Sequence, residues 1–304
     1  MSPEPTSTSA PLKKYRGSCH CGAFIYEAEA PEITSSYLCD CSICRKRGYK
    51  CFEPEKFTVV RDDGKLTSYF FGNKNFDHQF CSVCGTTILA KSVNKDDPRM
   101  GVNLNTIHNF DIWSLKLETY NGAALPPPYV PAKFPGPEPN PEGFENGRVV
   151  HGSCHCGTVT LAVKVNGNLD EEGSHKEPIL NCNCSFCRLG DYTFFYPTIS
   201  QLSIHVSTND GEKPEDKLIY YTFGHRVWRK VFCRTCGVHI YSEANPELTD
   251  AEVAALPESV RQFRDRQLNR RPIPVGVLDD VDVYKIKGRK GDGWNKLGPE
   301  YVWP

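Results

Sequence analysis

The cysteines of this chain fall into two sets of seven that repeat the same order of spacings. Each set has a Cys-x-Cys pair, then a Cys-x-Cys-x2-Cys group, then a Cys-x2-Cys pair followed by glycine. Residues 39–45 recur nearly unchanged as residues 182–188, and residues 17–22 are identical to residues 152–157. Because single domains usually span about 100 to 200 residues, a 304-residue chain with this repeat is predicted to hold two related domains.

The thiols are more consistent with metal binding than with disulfides. The chain has 15 cysteines, an odd number, in short paired spacings. Its first ten residues lack the charged and apolar regions of a signal peptide, so an oxidising compartment is not expected. Cys51 is the cysteine left outside the two sets, and we interpret it as a half-buried hydrophobic residue in the strand-like stretch 49–52.

The Cys-x-Cys-x2-Cys group predicts three sulfurs that face one centre. In an extended segment, Cys39 and Cys41 point to the same side, and a tight turn would bring Cys44 to the same point. Zinc accepts thiolates and prefers four ligands, so three thiolates leave one position for water or substrate. Seven thiols cannot fill two four-thiol sites, and one site in each half must therefore lack a cysteine. The residues alone do not say which site that is.

The rest of the chain reads mainly as short strands separated by turns. Residues 57–60 and 66–71 alternate around Asp62-Asp63-Gly64-Lys65, which predicts a hairpin, and residues 46–48 predict a basic turn. Residues 249–271 form the one convincing helical segment, with Thr249 and Glu252 as a capping box. We expect this insertion in the second half to serve packing rather than to act as a lid.

The domain boundaries follow from composition. Residues 1–14 are predicted to be disordered, residues 15–122 to form the first zinc domain and residues 149–304 the second. Residues 123–148 contain eight prolines and are predicted to be an extended linker. The formal net charge of −1 and the lack of a long apolar run predict no nucleic-acid partner and no membrane span. We expect a soluble cytoplasmic protein, with the nucleus as the other candidate compartment.

Together the two halves resemble the family of glutathione-dependent formaldehyde-activating enzyme and centromere protein V domains, here in tandem. The resemblance covers residues 16 to about 120 and 149 to about 290. It rests on seven cysteines in a specific order with glycine after the last pair. It implies an all-β fold of twisted antiparallel sheets in two copies, similar to the zinc fold of a nucleotide-exchange factor, with a short helical insertion in the second copy.

The resemblance also divides the thiols between two kinds of site. It implies four Zn²⁺ ions per chain, two structural and two of a catalytic type. Structural sites would consist of Cys19, Cys21, Cys81 and Cys84, and of Cys154, Cys156, Cys233 and Cys236. Catalytic sites would consist of Cys39, Cys41 and Cys44, and of Cys182, Cys184 and Cys187.

The reaction implied by the family is carbon–sulfur lyase chemistry on a glutathione-type thiol and a small aldehyde, with glutathione as co-substrate. The alternative is a non-catalytic protein-interaction module whose zinc ions are all structural. We slightly favour the second half as the active one, because its added loops and residues 249–271 could form a pocket wall. No general base is assigned: Asp40 and Asn183 differ at matched positions, and His20 is predicted to point away from the metal.

Overall fold

A computed structural model describes residues 10–296 and 298–304. Most of the segment predicted to be disordered, residues 1–9, lies outside this range. The first strand already begins at Lys13, so the last two residues of that segment belong to a sheet. Within the described residues, no helix is long and apolar enough to cross a membrane.

The first half is built from ten strands, and the prediction of an all-β fold is confirmed. A three-stranded sheet has the order β1-β2-β5, and a seven-stranded sheet has the order β10-β3-β4-β9-β8-β7-β6. All pairs are antiparallel except β10 with β3. The strands are β1 Lys13–Ser18, β2 Phe24–Ala30, β3 Ser35–Cys39, β4 Lys50–Phe52, β5 Lys56–Asp62, β6 Leu66–Tyr69, β7 Phe76–Cys81, β8 Thr87–Ser92, β9 Met100–Asn103 and β10 Lys116–Tyr120, with helix α1 at Ser42–Arg47.

The second half repeats this arrangement, but its larger sheet is divided in two. The orders are β11-β12-β15, β19-β14-β13-β20 and β16-β17-β18. Its elements are β11 Gly147–Ser153, β12 Val159–Asn166, β13 Ile179–Cys182, α2 Ser185–Leu189, β14 Thr193–Phe195, β15 Leu202–Val206, β16 Leu218–Tyr221, β17 Trp228–Cys233, β18 His239–Ala244, α3 Asp250–Ala254, α4 Glu258–Gln267, β19 Ile273–Pro274, β20 Arg289–Gly291 and α5 Gly293–Lys296. The division falls between β18 and β19, where α3 and α4 are inserted.

The helical insertion has the predicted form. Thr249 caps α3 in a capping box with Glu252, and Pro257 separates α3 from α4 because its ring cannot continue the first helix. Val260 is buried and Phe263 packs edge-on against Trp228 at 6.3 Å between ring centroids. The insertion therefore packs onto the second half, and its inner face contacts β17.

Two local predictions in the first half are wrong. Strands β5 and β6 flank residues 62–65 as expected, but they do not form a hairpin: β5 pairs with β2, and β6 pairs with β7. The chain leaves one sheet here and enters the other, which alternation around Asp-Gly does not reveal. The predicted basic turn is the last turn of α1, and its Lys46 and Arg47 are only 1% and 3% exposed.

Those two buried cations are explained by the packing of α1 against the second half. The Lys46 ammonium donates to Asp279 Oδ1 at 2.6 Å and to the Ser153 carbonyl at 2.9 Å. The Arg47 guanidinium donates to the Cys236 carbonyl at 3.0 Å. A buried charge is tolerated when it is paired and hydrogen-bonded, and the second half supplies those partners. In the opposite direction, Arg188 of α2 donates to the Ile107 carbonyl of the first half at 2.9 Å.

The two halves therefore share a core rather than meeting only at a linker. Ile43, Tyr69 and Phe80 of the first half belong to the same buried cluster as the second-half core. At the two Cys-x2-Cys turns the contact is reciprocal. A Cβ at Gly85 would lie 2.3 Å from the Phe232 ring, and one at Gly237 would lie 2.6 Å from the Phe80 ring. Both glycines also have positive φ, so neither position accepts a side chain.

One segment of the predicted linker makes the same contacts as a segment at the C terminus. Tyr129 stacks on His155 and its hydroxyl donates to the His155 carbonyl at 3.1 Å. At the C terminus, Tyr301 stacks on His20 and its hydroxyl donates to the His20 carbonyl at 2.6 Å. Residues 126–132 and 298–304 are thus matching straps, each of which leaves its own half and packs on the Cys-His-Cys turn of the other half.

Candidate metal centres and the cavity beside one of them

Two groups of four thiols form where the first Cys-x-Cys pair of each half meets the Cys-x2-Cys turn. In the first group, the sulfurs of Cys19 and Cys21 lie 3.6 Å apart, and those of Cys21 and Cys81 lie 3.7 Å apart. In the second group, Cys156 Sγ lies 3.5 Å from both Cys154 Sγ and Cys233 Sγ. With Cys84 and Cys236 each group offers four sulfurs, a set that suits a closed tetrahedral zinc site.

Two groups of three thiols form where a strand enters a short helix. Cys39 ends β3, Cys41 precedes α1, and Cys44 lies inside α1, so the predicted tight turn is the first turn of a helix. The second half repeats this with Cys182, Cys184 and Cys187 on β13 and α2. In each group all sulfurs lie within 4.8 Å of one another, and no fourth His, Cys, Asp or Glu ligand of residues 10–296 and 298–304 joins them.

The electrostatics of the three-thiol groups favour a bound cation. Hydrogen bonds from Cys184 and Cys187 lower the pKa of Cys182 to about 3, so this sulfur carries a negative charge. Hydrogen bonds with Cys182 and Cys184, together with burial, raise the pKa of Cys187 well above its ordinary value. In the first group, hydrogen bonds with the other two thiols likewise lower the pKa of Cys39 to about 3 and raise that of Cys44 well above its ordinary value. Three clustered thiols can therefore ionise together only when a positive charge offsets their mutual repulsion.

Asp40 and Asn183 do share a role, although their side chains differ. Asp40 Oδ1 accepts the backbone N–H of Ala123 at 2.8 Å, and Asn183 Oδ1 accepts the backbone N–H of Trp294 at 2.9 Å. Both hold the segment that follows the parallel strand, β10 or β20, against the three-thiol group. An acceptor oxygen is all that this contact needs, and either side chain supplies one. The difference between Asp and Asn is thus compatible with one structural function.

His20 and His155 connect the two halves, a contact that the sequence does not reveal. His20 Nε2 lies 2.9 Å from Ser185 Oγ, and His155 Nε2 lies 2.9 Å from Ser42 Oγ. Their Nδ1 atoms each lie 2.7 Å from a tyrosine hydroxyl of the other half, Tyr221 and Tyr69 respectively. Burial lowers the pKa of His20 to about 4 and that of His155 to about 3, so both rings are neutral at pH 7.

The consequence is a physical link between a four-thiol group and the three-thiol group of the opposite half. Each histidine sits between two cysteines of a four-thiol group, and each serine is the first residue of the helix that carries the third thiol. The expectation that His20 points away from a metal agrees with these hydrogen bonds. Its position instead orients helix α2 from the other half.

A cavity of about 310 Å³ opens beside the second three-thiol group. All three thiols border it, and the remaining lining is mainly apolar and aromatic. Helix α4 contributes Val260 and Phe263, and the C-terminal strap contributes residues 298–302. Lys230, on β17, is the lysine of the lining. The insertion at residues 249–271 therefore packs on the protein, as expected, and also forms part of a cavity wall.

The first three-thiol group has different surroundings. A second cavity, of about 220 Å³, touches only Cys44 of that group and otherwise runs between the halves. On the face that matches the larger cavity, His78 corresponds to Lys230, because each lies three residues before the first cysteine of its Cys-x2-Cys pair. His78 pairs across its sheet with Ala90, as Lys230 does with Ser242. At the same register Phe76 corresponds to Trp228. A Cβ at Gly122 would lie 2.5 Å from Cys39 Sγ, so this backbone covers the first group closely.

Cys51 belongs to none of the four thiol groups. It lies in β4, half-buried, opposite Tyr37 and Asn103 of the neighbouring strands. Burial raises its pKa to about 11, which keeps it a neutral thiol at pH 7. This environment suits the interpretation of Cys51 as a small apolar residue.

The fold and the thiol groups define a class of tandem all-β protein with cysteine clusters suited to metal binding. The sequence profile of the glutathione-dependent formaldehyde-activating enzyme family matches residues 14–123 and again residues 149–267. The chain belongs to this family and carries its domain twice. The chain is also similar to a Rhodobacter sphaeroides protein whose crystal structure is known. The match covers 46% of this chain and 97% of that chain, at 21% sequence identity. Its TM-score of 0.31 is too low to bear on the fold.

Proposed function

We propose that this protein is a zinc-dependent enzyme of the carbon–sulfur lyase type, which forms or cleaves an adduct between a glutathione-type thiol and an aldehyde. The reaction centre is the second three-thiol group, Cys182, Cys184 and Cys187. One observation supports that choice above others: all three sulfurs border a cavity large enough for a substrate. Family membership supports the type of reaction.

The residues fit zinc in both kinds of group. Thiolates are ligands that zinc prefers, and a four-thiol group closes the coordination while a three-thiol group leaves one position open. A zinc ion held by Cys182, Cys184 and Cys187 would supply Lewis-acid charge that favours ionisation of a thiol or polarisation of a carbonyl near neutral pH. We propose two structural and two open zinc sites per chain, with Cys19, Cys21, Cys81 and Cys84 and their second-half counterparts as the structural sets.

The side chains around the second group are placed to stabilise negative charge that develops on a substrate oxygen. Lys230 places an ammonium in the lining, and its one side-chain hydrogen bond within the described residues goes to Ser242 Oγ at 3.1 Å. It is therefore available to an oxygen that becomes negative as a thiolate adds to a carbonyl. The mainly apolar lining lowers the local dielectric and strengthens this interaction. His20 and Arg188 hold α2, and with it Cys187, from the first half.

The test compares matched thiols in the two open groups. Zinc-loaded protein is assayed for exchange of the glutathione–formaldehyde adduct above the rate of glutathione alone. Cys187→Ser should reduce the rate to that background, whereas Cys44→Ser should retain turnover. Equal loss in the two variants would place the reaction in both halves. No rate above background in the intact protein would instead favour a non-catalytic interaction module.

Metal content provides a check that does not depend on activity. Elemental analysis should find four zinc ions per chain in the intact protein, and three in Cys187→Ser if a site with two thiols no longer retains its ion. Two ions per intact chain would mean that the open groups do not hold zinc. Clustered reduced thiols and a glutathione-type substrate also support a cytoplasmic location, where disulfides are rare, and fluorescence microscopy of the tagged chain would check it.

A further inference from the structure

The cavity beside the second three-thiol group is larger than formaldehyde requires. Its volume is about 310 Å³, whereas an apolar cavity of about 150 Å³ already accepts benzene. Pockets for drug-sized ligands begin at about 300 Å³. An aldehyde with two heavy atoms would leave most of this space empty, so the cavity has room for a sizeable substituent on the carbonyl carbon.

The walls of the cavity indicate what kind of substituent fits. Seven Phe, Tyr and Trp side chains line it: Phe194, Tyr196, Phe223, Trp228, Phe263, Trp294 and Tyr301. Aromatic rings attract another ring in edge-to-face or offset geometry at about 4.5–7 Å between centroids. Trp228 and Phe263 already meet edge-on at 6.3 Å, which fixes the orientation of that wall. A planar ring would be recognised here better than a flexible polar chain.

Besides the thiols and the aromatic residues, few polar side chains line the cavity: Ser185, His225, Lys230, Ser242 and Glu300. Lys230 Nζ sits 5.0 Å from the centroid of Phe186 and 5.6 Å from that of Phe194. Glutathione carries two carboxylates, an amine and two amides, and these would lose water without gaining enough partners among such walls. Its polar arms therefore lie outside the aromatic part of the cavity, and the space is left to the carbonyl partner.

We infer that this cavity binds the ring of an aromatic aldehyde, with the carbonyl oxygen directed to Lys230 and the ring packed against Trp228 and Phe263. The inference rests on the proposed function, since it names the aldehyde that the same site uses. In the addition, the thiol first loses its proton to solvent. A sulfur–carbon bond then forms, the C=O π pair moves to oxygen, and that oxygen takes a proton from Lys230, which solvent restores. The product is a hemithioacetal, and no oxidant or reductant is consumed.

Two measurements test this on the full-length, zinc-loaded chain. Calorimetric titration with benzyl alcohol, an unreactive ring-bearing probe, reports the ring site alone. We expect binding that weakens about tenfold in Phe263→Ala, because one aromatic contact is lost, and that changes less than about twofold in Phe76→Ala, the residue that matches Trp228 in the first half. Trp228→Leu is a second cavity variant in case Phe263→Ala perturbs α4, and thermal melts of all variants report folding.

The second measurement is kcat/KM for glutathione addition to benzaldehyde and to formaldehyde. Benzaldehyde should be preferred, and Phe263→Ala should reduce that preference about tenfold. Lys230→Met should lower kcat by about tenfold or more with little change in benzyl alcohol affinity, while the matched His78→Met should not.

The outcomes separate this inference from the proposed function. Turnover of formaldehyde without benzyl alcohol binding, or with benzaldehyde the poorer substrate, would overturn the aromatic site and leave the proposed function intact. Binding of benzyl alcohol that Phe263→Ala does not weaken would also overturn it. Binding that Phe263→Ala weakens, with no turnover of either aldehyde, would support the ring site and contradict the proposed function.

Discussion

The two three-thiol groups have the same scaffold and different surroundings. Each uses one strand, one short helix and one Asp or Asn oxygen, and each helix begins with a serine held by a histidine from the other half. Around the second group, however, Lys230 replaces His78, Trp228 replaces Phe76, and helix α4 adds a wall. Metal-binding potential is thus duplicated, while a cavity that reaches all three thiols is seen at the second group. The two copies therefore share the backbone elements that carry the thiols, but differ in the side chains that surround them.

The two reciprocal interfaces differ in a similar way. Helix α1 contacts the second half through an ion pair, in which Lys46 Nζ lies 2.6 Å from Asp279 Oδ1. Helix α2 has Leu189 at the position of Lys46, and its Arg188 lies over the Trp303 ring at 5.0 Å. His108 occupies the position that matches Asp279: it approaches Ser18 Oγ at 2.8 Å, as Asp279 accepts from Ser153 Oγ at 2.6 Å. One interface therefore contains a buried ion pair, whereas the other contains a buried arginine whose partners are backbone carbonyls and an aromatic ring.

The largest expected difference is between closed and open thiol groups. Binding of structural zinc contributes about 10–16 kcal/mol, which matches or exceeds the roughly 5–15 kcal/mol stability of a typical domain. Cys236→Ser should therefore abolish cooperative thermal unfolding followed by circular dichroism, and Cys84→Ser should do the same because the halves share a core. Cys187→Ser should melt within a few degrees of the wild type. A larger loss in Cys187→Ser than in Cys236→Ser would reverse the assignment of structural and open groups.

The next difference concerns the buried ion pair. Lys46→Ala leaves the Asp279 carboxylate buried at the interface, where it keeps a hydrogen bond from Ser153 and a contact with Arg45, and should cost about 3–5 kcal/mol in urea unfolding. Replacing both partners, as Lys46→Met with Asp279→Leu, should recover part of that loss. Lys56→Ala, which removes an exposed pair with Glu29, is the control and should cost far less. A cost of that small size for Lys46→Ala would show that the α1 interface is not closed in solution.

The paired histidines provide a test of the link between halves. His20→Ala and His155→Ala each leave a serine and a tyrosine hydroxyl without their partner, at about 1–3 kcal/mol. Their stability losses should be similar because the contacts are equivalent. Their effects on activity should differ, since only His20 contacts the helix that carries Cys187. Equal kcat in the two variants would mean that orientation of α2 does not depend on His20.

The smallest expected effect is a dependence of stability on pH at His108. Burial lowers the pKa of His108 to about 4 in the folded chain, below the ordinary value of 6.5. The unfolded chain then binds up to about one more proton between these values, so this contribution is complete above pH 6.5 and is lost as the pH falls towards 4. Urea unfolding of wild type and His108→Gln at several pH values should show a shallower slope in the variant. Identical slopes would mean that His108 is not desolvated.

Much of the fold could be predicted because it depends on local spacing. Alternation located β5 and β6, the repeat of residues 17–22 at 152–157 indicated two copies, and Thr249 with Glu252 marked the start of α3. The resemblance to the family supplied the grouping of the thiols, and the structure places the members of each group together. The strands, the capping box and the three-thiol groups follow from residues a few positions apart. The four-thiol groups instead join cysteines 60 residues apart in the first half and 77 in the second, and the resemblance alone supplied that grouping.

What the sequence by itself determined is the list of thiols, their spacings and the duplicated domain. The tertiary structure alone decided that His20 meets Ser185, that Lys46 and Arg47 are buried, that β5 and β6 enter different sheets, and that three sulfurs of the second half border a cavity. Such contacts join segments that are often more than 100 residues apart. They form because two amphipathic halves bury their faces against each other, and no local periodicity records which residues will then become neighbours.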